Sequence, residues 1–96
     1  MTIDRFELRR RSDDLVYVFV RAAEPGGRSG FRRADGDYWI VFEPDLGWVA
    51  WNDESQDVAG RPWNTLPTDQ PLDAPPEGEW VSKKGAKSYV YDLVYI

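Results

Sequence analysis

The sequence predicts an all-β chain, β-rich with at most a short helical turn. Six to seven antiparallel strands joined in hairpins would form a small curved sheet, barrel or sandwich. Three observations lead there. Val, Ile, Tyr, Phe and Trp gather in short runs broken by Gly, Pro and Asp, the pattern of strands and turns. Helical periodicity is nearly absent, and no internal repeat or heptad run occurs. Fourteen aromatics (five Trp, five Tyr, four Phe) stand in a chain of 96 residues with no cysteine, so packing rather than disulfides must hold the fold. A chain of this length is expected to form one domain, 1–96.

The first strand is expected at about 3–10, where Ile3, Phe6 and Leu8 alternate with charges. "RSDD" at 11–14 is a turn. The run 15–22 is apolar on both faces, with Leu15, Tyr17 and Phe19 on one and Val16, Val18 and Val20 on the other. That pattern predicts a central strand clamped between two layers. "EPGGRSG" at 24–30 reads as a loop, 31–34 as a short strand, and Asp35-Gly36 as a tight turn.

"YWIVFEPDLGWVAWN" reads as two strands around a Pro-Asp-Leu-Gly turn. A four-residue loop pairs Glu43 with Trp48, Val41 with Ala50 and Trp39 with Asn52. Trp51 then points inward, while Trp39 and Trp48 share the outer, mixed face. A one-residue bulge would exchange the two faces.

Residues 53–79 carry five prolines (62, 67, 71, 75, 76) and read as a long Pro-rich loop. Val58, Trp63, Leu66 and Leu72 would tack it onto the sheet. Its only regular structure would be one helical turn across 53–58, capped by Asn52 or Asp53. The C-terminal hairpin "EWVSKKGAKSYVYDLVYI" turns at Gly85-Ala86 and pairs Trp80 with Tyr91, Val81 with Val90 and Ser82 with Tyr89.

The composition also excludes chemistry. Without histidine and cysteine the chain lacks the commonest general base, metal ligands and every Ser-His or Cys-His arrangement. Asp35-Gly36-Asp37 does not fit the calcium-loop pattern, and "EPGGRSGFRR" lacks the Gly-Lys-Ser/Thr of a phosphate loop. The acids fall in turns and loops, where a glycosidase-like pair is not expected. No catalysis, metal site or cofactor is therefore expected. The N-terminus has no apolar core of a signal peptide, and the longest apolar run is the six residues of 15–20. No membrane association and a cytoplasmic location are the expectation.

The net charge of −5 is unevenly spread. Residues 34–82 hold one arginine against eleven acids, whereas 1–33 hold eight arginines against five acids. An acidic middle counts against direct nucleic-acid binding and favours a protein partner with a basic surface. The function expected is a non-catalytic binding module for protein–protein interaction. It would act as an inhibitor or adaptor, in its sharpest form an acidic antagonist of viral or bacterial type whose carboxylates imitate nucleic-acid phosphates in a basic groove. The residues expected to face the partner are Trp39, Trp48, Asp53, Glu54, Asp57 and Trp63, because interface centres favour tryptophan and acidic rims speed encounter with basic partners. Exposed tryptophans beside acids and amides would equally suit a carbohydrate-binding module, the alternative. Aromatic-rich strands are compatible with a homodimer.

Overall fold

Successive side chains of a strand point to opposite faces, and closing the sheet on itself turns those faces into inside and outside. The computed structural model describes residues 3–23, 29–36, 38–52, 57–63, 65–71, 73–84 and 86–96, without the side chains of Ser29, Asn52, Asp57 and Lys84. Eight strands follow in order: β1 (Arg5–Arg10), β2 (Val16–Ala23), β3 (Ser29–Arg33), β4 (Trp39–Glu43), β5 (Gly47–Asn52), β6 (Asp57–Pro62), β7 (Gly78–Lys84) and β8 (Lys87–Tyr95). Each pairs antiparallel with the next, and β8 returns to β1 with Leu93 opposite Leu8, closing the barrel. The all-β class holds, with eight strands rather than six or seven.

The additional strand is β6, which lies inside the stretch read as irregular loop. Prolines misled there: Pro62 ends the strand, opposite Trp80, where the chain is about to leave the ladder. Residues 57–58 are strand rather than the end of a helical turn, and residues 53–56 lie outside the described residues. At Gly60 the strand passes close to β7. A Cβ there would stand 2.5 Å from Ser82 Oγ and 2.8 Å from Trp80 Nε1, which hydrogen-bond to each other. Only glycine lets the backbone run under that bond.

An eight-stranded barrel has an interior just wide enough for side chains to fill it. Phe6, Leu8, Phe19, Phe31, Ile40, Trp48, Trp80, Tyr91 and Leu93 fill it here, all buried. Phe6 stacks on Phe19 at 5.2 Å and meets Phe31 edge-on at 4.8 Å. Trp48 continues the contact to Phe31 at 5.8 Å and to Phe42 at 5.6 Å.

Closure also explains why β2 is not clamped on both faces. Phe19 points into the barrel, but Val16 and Val20 are exposed on the outer wall, and Leu15 just before the strand is exposed too. A barrel has one inside, and no second layer buries this part of its wall.

The β4–β5 hairpin has the opposite register from the one expected. Glu43 carbonyl accepts the Leu46 N–H at 3.1 Å, and Gly47 takes φ +78°. The loop therefore spends three residues, Pro44–Leu46, and Glu43 pairs with Gly47. Phe42 now faces Trp48, and Trp39 faces Trp51. One residue of slip moves every side chain to the other face. Trp48 is the buried tryptophan, at 0 % exposure, and Trp51 is on the outer wall, half-buried beside Trp39. The C-terminal hairpin agrees with its expected pairing, Trp80 with Tyr91 and Ser82 with Tyr89. Gly85 lies outside the described residues.

Trp48→Ala should therefore cost about 3–5 kcal/mol, the range for a fully buried aromatic. Trp51→Ala should cost clearly less. Paired urea melts of the two variants check the order directly.

Candidate interaction surface

The segment between β6 and β7 turns back and plugs one end of the barrel. Pro67, pre-set for the first helical position, opens a single 3-10 turn at Pro67–Asp69. That turn delivers Gln70, whose buried amide acts as a clasp. Its Oε1 accepts the backbone N–H of Trp48 at 2.8 Å, and its Nε2 donates to Thr65 carbonyl at 3.2 Å. The clasp needs Gly47, because a Cβ there would lie 2.5 Å from Gln70 Oε1. Trp48 Nε1 donates to Pro71 carbonyl at 2.7 Å, while Ala74 and Pro75 are buried at the barrel end. Tyr95 closes the rim, its hydroxyl donating to Pro75 carbonyl at 2.7 Å; burial pushes its pKa up. Arg21 donates to Asp73 carbonyl at 2.8 Å and lies 4.7 Å over the Phe31 ring.

Gln70, Ala74 and Pro75 hold the plug, whereas Trp63 and Leu66, expected to tack it down, do not. Val58 is half-buried in β6, and Leu72 lies outside the described residues. Trp63 and Leu66 point outward at 60 % and 68 % exposure, and Leu46 in the β4–β5 turn is at 49 %. Gln70 ties the two segments that carry them: it touches Gly47, next to Leu46, and bonds Thr65, next to Leu66. Asp45 and Asp69 are exposed on the same two segments. Arg61 leans over the Trp63 ring at 5.7 Å. This end of the barrel therefore offers apolar side chains among carboxylates on a backbone pinned from inside.

At the opposite end, guanidinium groups are stacked on tyrosine rings. Arg33 lies over Tyr17 at 4.6 Å and over Tyr38 at 3.9 Å, and its Nε donates to Asp35. Arg10 lies 4.7 Å over Tyr89 and forms a two-point ion pair with Asp13. On the wall, Arg11 bridges Glu79 at 3.0 Å and Asp92 at 2.6 Å. Arg10 holds the Asp13 carboxyl below the ordinary carboxylate range, and Arg11 does the same for Asp92.

Among the described residues, Trp39, Trp48 and Trp63 of the expected partner site do not come together. Trp48 is inside the barrel and is corrected: its register places it where no partner can reach it. Trp39 is half-buried on the outer face of β4. Asp53 and Glu54 lie outside the described residues, as does the side chain of Asp57, whose backbone opens β6. Trp63 stands past the other end of that strand, exposed as a partner residue would be. Nothing in the sequence placed Leu46, Leu66, Asp45 and Asp69 at a common end, and Leu66 was expected to pack against the sheet. Leu46 follows a turn aspartate and Leu66 precedes one by three residues, a pattern that sequence alone does not separate from core. Among the described residues no group of three or more acidic side chains is placed to hold a metal ion. No helix among them is long and apolar enough to cross a membrane.

Fold and surface together define a small meander barrel with a side-chain-filled interior and an apolar, acidic end face. No family model, curated protein or solved structure matches the chain.

Gln70→Ala would leave the buried Trp48 N–H without the amide oxygen that satisfies it, at a cost of about 1–3 kcal/mol. Hydrogen exchange at the Trp48 amide should accelerate more than at Leu93, in a strand remote from the clasp. The pairing of Asp92 with Arg11 supports the fold fully above the ordinary carboxylate range, and that support fades as pH falls towards the lowered value. An NMR titration should find the Asp92 carboxyl below the model-peptide value of roughly 3.9, and Arg11→Gln should return it upward.

Proposed function

We propose that this chain is a non-catalytic binding module, an inhibitor or adaptor that takes a protein partner with a basic surface on its plugged end. The observation that carries the reading is the exposure of Leu46, Trp63 and Leu66 there. Trp63 and Leu66 are the most exposed large apolar side chains among the described residues. Large apolar side chains exposed at one end of a fold are the kind of surface that a partner covers. The Gln70 clasp supports it further, because a surface held rigid before binding loses less entropy on association. Asp45 and Asp69 supply the acidic rim that would steer a basic partner. The filled interior favours recognition on the outside over uptake of a small molecule into the barrel.

A photo-reactive residue at position 63 should crosslink to a discrete protein in cells of the source, whereas the same residue at exposed Lys87, at the other end, should not. With that partner in hand, Trp63→Ala with Leu66→Ala should weaken binding at least tenfold. Asp45→Asn with Asp69→Asn should slow association and flatten its salt dependence. Absence of any crosslink specific to position 63 removes the reading. Quenching of tryptophan fluorescence by millimolar oligosaccharide, lost in Trp63→Ala, would move it to carbohydrate.

A further inference from the structure

The outer wall of β1–β3 is the counterpart of the plugged end. Val16, Val18 and Val20 occupy successive outward positions of β2. Val16 and Val20 are exposed at 45 % and 39 %. The flanking outward residues are basic. Arg5 stands opposite Val20 on β1, Arg32 opposite Val20 on β3, and Arg9 opposite Val16 on β1. Glu7, opposite Val18, is the single acid in that set, and Arg9 pairs with it at 2.9 Å. A β-branched stripe between arginines thus sits on a chain whose net charge is −5.

From this geometry we infer that the partner of the plugged end is a second copy of this chain, which presents its β2 wall. The inference rests on the role proposed above for Leu46, Trp63 and Leu66. Leucines beside Asp45 and Asp69 would meet valines beside Arg5 and Arg32, so apolar contact and opposite charge coincide. The end of one copy meets the wall of the next, a heterologous contact that repeats from copy to copy. The barrel has no free strand edge, so association runs through side chains and not through strand pairing. The charges are exposed, so the contact weakens as salt shortens the screening length to ~10 Å or less near 0.1 M.

Two variants separate the halves of the contact. Val20→Glu reverses the wall, and Leu66→Arg reverses the plugged end. Both residues are exposed, and far-UV circular dichroism with a thermal melt confirms each fold; Arg5→Glu serves as a second wall variant. In sedimentation equilibrium at millimolar protein and low salt, the wild type should show a mass that rises with concentration and falls with added salt. Each variant alone should remain monomeric. An equimolar mixture of Val20→Glu and Leu66→Arg should yield a species of two copies and nothing larger, because one intact wall meets one intact end. Self-association is overturned if the wild type stays monomeric, if either variant assembles like the wild type, or if the mixture stays monomeric. A monomeric wild type that still crosslinks from position 63 to another basic protein leaves the role of the end face standing and removes only the second copy.

Discussion

Trp48 is the side chain through which wall, core and plug are joined. It is fully buried among Phe31 and Phe42, while its indole N–H reaches Pro71 and its backbone N–H reaches Gln70. A buried indole needs a hydrogen-bond partner, and here the partner is supplied by a segment that has no strand of its own. The plug is therefore not an accessory laid over a finished barrel. It satisfies polar groups that the barrel leaves open at the start of β5, and the barrel in turn fixes its path.

That arrangement gives the two ends different physical characters. At one end a backbone segment is clasped from within, so its own apolar side chains are free to point outward. At the other, guanidinium groups lie on tyrosine faces and are steered by carboxylates from the adjoining turns. Arginine suits this use because its flat, weakly hydrated head stacks while its edge hydrogen-bonds. Between the ends the outer wall is not uniform. Val41 and Val49 are buried although they face outward, whereas the valines of β2 are exposed.

Much of the barrel was legible in the residues. Strand alternation in β1, the terminal hairpin and the β-rich class follow from composition and period, and those elements have the faces expected of them. The misreadings have separate local causes. Prolines in 53–79 concealed β6, because a proline at the end of a strand looks in sequence like a proline that forbids one. Gly47 moved the β4–β5 register by one residue, because its positive φ shortens the loop and nothing in "PDLG" states which residue takes that conformation. The site suffered directly: Trp48 passed to the interior and Trp51 to the wall.

By itself, then, the sequence determined that the chain is built of short antiparallel strands and hairpins, held by aromatic packing, without histidine or cysteine. These are local properties, set by period, turn chemistry and residue inventory. Tertiary structure alone decided that the sheet closes, that Gln70 completes β5 from a distant loop, and that Leu46, Trp63 and Leu66 share one exposed end. Each of these depends on residues far apart in the chain meeting in space. Whether a tryptophan is core or surface is such a question, since a slip of one residue reverses the answer while leaving the local pattern unchanged.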